Sequence, residues 1–186
     1  ATLNGVEFYA RHFEAVGPGR NTVLFCLPGG GASRDYFDLA PDYSFAKRMT
    51  ARGYDVVTMD HPGTATNPRP EGTPFLSPRR SSDYIGASLS QYLAVPEFKD
   101  KTIIGVGHSM GGMMITLVHA RHNLFDGVAL LGASAGGLEW GLSTEEKTYI
   151  DKPEAFADNI ENLTLNKFKT AFPPSTGGPS GKSITF

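Results

Sequence analysis

Sulfur chemistry is almost missing from this sequence. Cys26 is the only cysteine among 186 residues, so no disulfide can form within the chain. It lies inside the apolar run TVLFCLP and reads as a buried strand residue, because a reactive thiol needs exposure and an activating neighbour. Charge is also scarce. Asp, Glu, Lys and Arg make up 19%, the net charge is −2, and no basic run is longer than Arg79-Arg80. That balance argues against a surface for nucleic acid or anionic membrane. No apolar stretch approaches the ~20 residues of a membrane span. No basic segment followed by an apolar one opens the chain as a signal peptide would, although Ala1 rather than Met stands first, as after removal of a leader. The compartment stays open, with a soluble cytoplasmic setting favoured. No His, Cys and Asp residues share the spacing of a zinc site, and no GxGxxG follows the first strand-like run. TGGPSGKS (176–183) has Thr176 where a phosphate loop needs glycine, and lacks the strand before and the helix after. No metal, nucleotide or other cofactor is therefore expected.

What the chain does have is 22 glycines and 13 prolines, spaced as turns between apolar segments. VEFYARHF (6–13) alternates as an edge strand does, while NTVLFCL (21–27), YDVVTMD (54–60), KTIIGVG (101–107) and DGVALLG (126–132) are continuous β-type runs. Runs apolar on both faces predict strands covered on both sides, as in a parallel sheet. Helical patterns fall between them: SFAKRMTARG (44–53), with a serine start and a glycine stop; SSDYIGASLSQYL (81–93), with Ile85, Leu89, Tyr92 and Leu93 on one stripe; and MGGMMITLVHARH (110–122). Alternating strands and helices give an α/β class with right-handed crossovers. The pattern changes after residue 134. Ser143 and Glu146 fit a capping box, and Phe156, Ile160 and Leu163 share a face, so residues 138–186 read as a helical cap segment ending in a Pro/Gly-rich tail, with the core at 1–137.

The chemistry concentrates at GVGHSMGG. Gly107-His108-Ser109-Met110-Gly111 is a G-x-S-x-G pattern between a strand and a helix. A strand turning sharply into a helix strains its turning residue and admits only small residues two before and two after it. The turn exposes the serine oxygen at the sheet's C-terminal edge, at a helix N-terminus that favours negative charge. Acyl transfer also needs two N–H donors for a developing oxyanion. Met110 supplies one. The loop LPGGGAS (27–33), after an earlier strand, has the backbone freedom to aim a second from Gly30 or Gly31.

With LPGGGASRDYF, VVTMDHPG and GVGHSMGG in this order, the chain resembles the α/β-hydrolase superfamily over roughly residues 1 to 134. The resemblance implies a mostly parallel sheet with flanking helices and the start of a helical cap, Ser109 as nucleophile, and Gly30 and Met110 as oxyanion donors. Two departures stand out. Pro28 occupies the place where the family often has histidine, and HPGTATNP (61–68) lacks the second glycine and the serine usual there. Dehalogenases and epoxide hydrolases of this fold use an aspartate nucleophile, so Ser109 disfavours both.

The family order is serine, acid, histidine, yet only His119 and His122 follow Ser109. Both lie on the helix leaving the turn and point away from its start. His108 is expected to pack beside the site and His12 to lie on the peripheral strand. His61 is the serious candidate base within the chain, after Asp60 on a strand expected beside the serine's own; its other reading is a loop or pocket-wall residue. Glu139 is the candidate acid, or else the first polar residue of the cap. Nothing after residue 140 reads as the two further strands that usually carry acid and histidine. The expectation is thus an N-terminal portion of a serine hydrolase acting on a small-molecule ester or lactone, completed by a C-terminal part on a second polypeptide. Gly31, His61 and Trp140 are expected to touch the small-molecule substrate, and Trp140, Phe156, Phe168 and Phe172 to form an apolar lid. The alternative is a ligand-binding receptor or pseudoenzyme on the same fold.

Overall fold

The computed structural model describes residues 2–3, 5–70 and 76–133. The chain opens with β1 (Thr2–Leu3) and β2 (Val6–Glu7), an antiparallel pair turning at Gly5, whose φ of +77° suits glycine. Then come β3 (Ala10–Phe13), β4 (Thr22–Leu27), α1 (Phe45–Thr50), β5 (Asp55–Met59), α2 (Pro78–Leu93), β6 (Thr102–His108), α3 (Met110–His122) and β7 (Gly127–Leu131). Short 3-10 turns at Arg34–Phe37 and Pro96–Phe98 complete the order.

The five long strands form one sheet in the order β3-β5-β4-β6-β7, in which β3 runs antiparallel and the others parallel. Strand β4 is central because its sequence is apolar on both faces. Val23, Phe25 and Leu27 point to one side, where they meet Ile85 and Leu89 of α2 and Met114, Ile115 and Val118 of α3. Leu24 and Cys26 point to the other, with Phe37 and Ala46 of α1. Phe25, Cys26 and Leu27 are fully enclosed, and each large apolar side chain so buried contributes roughly 1.5–3 kcal/mol. Burial also pushes the Cys26 thiol far above its ordinary pKa.

Local signals place the helices. Ser44 caps α1 by accepting a 3.0 Å hydrogen bond from the Lys47 N–H. Helix α2 starts three residues earlier than the apolar stripe predicts, because Ser77 caps it and Pro78 takes a first-turn position that needs no N–H. Helix α3 stops at Asn123, which adopts the left-handed conformation at φ +50°.

One strand departs from the expected two-sided burial. Val128, Leu130 and Leu131 of β7 are 44%, 38% and 42% exposed. Among the described strands β7 is outermost in the order. The expected cap helices and the boundary at 137/138 lie outside the described residues.

Candidate active site

Strand β6 delivers Ser109 to the start of α3 with φ +50° and ψ −119°, a backbone state that costs a non-glycine residue roughly 1–3 kcal/mol. The surroundings hold it there. The Ser109 N–H donates to the Leu131 carbonyl at 2.8 Å, and its own carbonyl accepts from the Gly112 and Met113 N–H groups. Its hydroxyl makes no capping bond, and the residue is half-buried. The glycines answer a steric demand: a Cβ on Gly107 would stand 2.4 Å from the Gly111 carbonyl oxygen, and one on Gly111 only 2.2 Å from the Leu27 carbonyl oxygen. A Cβ on Gly112 would stand 2.7 Å from Ala133 Cβ.

The loop after β4 packs onto this turn. A Cβ on Gly29 would lie 2.9 Å from His108 Nδ1 and 3.5 Å from Ser109 Cβ, and one on Gly30 3.4 Å from Met110 Sδ. Gly30 therefore sits directly against Met110, whose N–H, as the first of α3, no helical carbonyl can take. The Gly30 N–H likewise has no partner among the described residues. Gly31 is exposed with φ +78° and turns the chain away.

Both ends of this loop are held from the end of β5. Asp60, fully buried, accepts the Arg34 N–H at 2.6 Å and the Thr66 hydroxyl at 2.9 Å. His61, 4% exposed, places Nε2 2.8 Å from the Pro28 carbonyl oxygen. Since that oxygen only accepts, Nε2 carries the proton and Nδ1 is the bare nitrogen; Nδ1 is buried without a partner. Burial is the main influence on the His61 pKa and lowers it; the Pro28 bond and the Asp60 carboxylate act oppositely, and the net value lies below the ordinary one.

The strand order corrects the position expected for His61. Strand β4 lies between β5 and β6, so His61 is two strands from the serine's strand rather than beside it, and its ring is committed to Pro28. The other four histidines are also placed. His12 Nε2 lies 2.8 Å from Asp55 Oδ1 on the peripheral strand. His108 stacks on Tyr36 with ring centroids 4.7 Å apart. His119 stacks on Phe125, and His122 sits over Gly86 beside Asp83. None of the five hydrogen-bonds the Ser109 hydroxyl among the described residues. Glu139 and Trp140 lie outside those residues. Sequence reasoning gave no role to Asp60 or Tyr36. An aspartate at the end of an apolar strand was the available signal for the first; nothing local marked the second.

A sharp strand–serine–helix turn beneath a glycine-rich loop, in this strand order, has a match among known families. Residues 22–163 match the family described as the alpha/beta hydrolase fold. The chain belongs to that family. This alpha/beta hydrolase resembles MenH from S. aureus at 24% identity and a TM-score of 0.57, covering 87% of this chain and 56% of that one. It resembles the alpha/beta hydrolase GrgF from Penicillium sp. sh18 at 20% identity and a TM-score of 0.59, covering 88% and 53%. A monoacylglycerol lipase from Paleococcus ferrophilus follows at 20% and 0.50, covering 79% and 52%. The chain thus spans about half the length of these structures. No curated protein matches its sequence significantly. Among the described residues no helix is long and apolar enough to cross a membrane, and no group of three or more His, Cys, Asp or Glu could hold a metal ion.

Proposed function

We propose that this alpha/beta hydrolase cleaves a small-molecule ester or lactone through an acyl-enzyme on Ser109. The observation that carries the reading is the strained turn, with an unbonded hydroxyl at the start of α3 and the Gly30 backbone packed against Met110. In the first step Ser109 Oγ bonds to the acyl carbon and its proton passes to an imidazole. The Gly30 and Met110 N–H groups receive the oxyanion, each such donor lowering the barrier by roughly 2.7–4 kcal/mol. The acyl–oxygen bond of the substrate then breaks, the leaving alkoxide takes the proton, and water releases the acyl group by the reverse sequence.

All five histidines of the sequence have other engagements, so the base in this reading comes from an imidazole beyond this sequence, on a further part of the protein or on a second polypeptide. Glu139 remains the proposed acid within the chain, and Gly31 and Trp140 the proposed substrate contacts. The same histidine census favours a second reading, a ligand-binding receptor on the same fold. Incubating the purified protein, with any chain that accompanies it, with a fluorophosphonate and measuring intact mass separates the two. An adduct lost in Ser109→Ala supports the hydrolase; an unmodified Ser109 in the full assembly supports the receptor.

A further inference from the structure

We infer that His61 is a positioning residue for the oxyanion loop, tying the Pro28 carbonyl at its start to the end of β5. The inference rests on the hydrolase reading for its consequence, but on geometry for its substance.

Pro28 and His61 meet at one hydrogen bond. Pro28 stands at the start of this loop. Proline has no N–H and fixes its own φ, so position 28 can neither donate from its backbone nor reach out with a polar side chain. Its carbonyl remains, buried next to the serine turn. His61 Nε2–H meets that carbonyl at 2.8 Å. The neighbouring Asp60 holds the far end of the loop through the Arg34 N–H at 2.6 Å. Consecutive residues of one strand end thus grip the loop on both sides of Gly30. Between the grips the only backbone bond among the described residues is a 3.2 Å turn from the Ala32 N–H to the Gly29 carbonyl. Gly29 and Gly30 have no side chains to lock them, and Gly31 is exposed.

An oxyanion donor works by being fixed before charge develops. A loop this rich in glycine loses its aim unless something outside it holds it. The Pro28 end leaves β4 where Leu27 pairs with Gly107, and the His61 bond fixes the Pro28 carbonyl from which Gly29 and Gly30 continue. The His61 ring is also well chosen for the task. Its Nδ1 is enclosed without a partner, so the ring serves as a one-bond donor and not as a base relaying a proton.

The test uses the intact protein with any chain that co-purifies, and compares His61→Phe with His61→Gln, whose Nε2 amide preserves a donor at similar reach. Long-range 1H–15N spectra of the wild type should place the ring proton on Nε2; a proton on Nδ1 would overturn the inference. Amide exchange should quicken at least tenfold at Ala32 and Arg34 in His61→Phe, while Phe25 and Val57 keep their protection and His61→Gln stays near wild type. Unchanged exchange at Ala32 and Arg34 in His61→Phe overturns the inference whether or not the serine reacts. At saturating fluorophosphonate, the phosphonylation rate of the folded fraction should fall 10–100-fold in His61→Phe with the half-saturating concentration changed less than threefold, and recover in His61→Gln. Equal impairment of both variants at equal folded fraction would reduce His61 to a packing residue. A wild type that does not label, with the exchange results as expected, would sink the hydrolase reading and leave the tie standing.

Discussion

Gly111 packs against Leu27 so closely that a Cβ at position 111 would stand 2.2 Å from the Leu27 carbonyl oxygen, with the Pro28 carbonyl oxygen at 2.4 Å. Both obstacles are backbone, which cannot swing aside as a side chain can. Gly111→Ala must therefore push α3 away from β4 or distort the loop that follows it. The expected cost is about 3 kcal/mol or more, at the upper end of overpacking. Urea unfolding reads the loss, and phosphonylation of Ser109 in the remaining folded protein should fall with it.

Ser109 itself carries strain that glycine would relieve. Its φ of +50° with ψ of −119° is open to glycine and costly for a side chain. Ser109→Gly is expected to raise stability by about 1 kcal/mol over Ser109→Ala, while both abolish labelling. Urea midpoints of the two variants, measured side by side, check this.

At the opposite end of the sheet, Asp55 accepts from His12 Nε2 at 2.8 Å, from Lys101 Nζ at 2.5 Å and from the Ala15 N–H at 3.4 Å. Burial raises its pKa, but the Lys101 and His12 bonds outweigh burial and hold the carboxyl below its ordinary range. Asp55→Ala is expected to cost about 2 kcal/mol at pH 7, less than a fully buried pair, because the Lys101 and His12 side chains stay 22% and 31% exposed. A lowered folded pKa means the contribution is present above the unfolded value near ~3.9 and is lost as pH falls through the folded one. The gap between variant and wild type should accordingly narrow below pH 4 in urea titrations.

The lowered pKa of His61 makes a second pH statement. Between that value and the ~6.5 of an unfolded histidine, the unfolded chain binds more protons than the native one. Unfolding free energy therefore climbs with pH through that window and levels off above it. Wild-type protein should show a higher urea midpoint at pH 7.5 than at pH 5.5, and His61→Gln, which does not titrate, a smaller difference.

The serine turn was legible in the sequence because its constraints are local. Gly107 and Gly111 answer clashes within the turn or with the strand beside it, and their spacing alone reveals them. Four strands and three helices were legible for the same reason, since period and capping act over a few residues, whereas VEFYARHF, read as one edge strand, divides into β2 and β3 in different sheets. His61 was misplaced because strand order is not local. Chain order suggests that β5 lies next to β6, whereas the crossover puts β4 between them. The grip of His61 on Pro28 spans 33 residues of sequence, so no local pattern joins the two positions.

Strand β4 shares hydrogen bonds with β5 on one flank and β6 on the other. Three consecutive neighbours therefore send their carboxyl ends to one rim, carrying the glycine loop, the Asp60-His61 grip and the serine. That rim is held by the pairings of the sheet and by the Asp60 and His61 bonds. In the proposed hydrolase, segments that touch the acyl group can therefore be exchanged or reshaped while the serine turn keeps its supports.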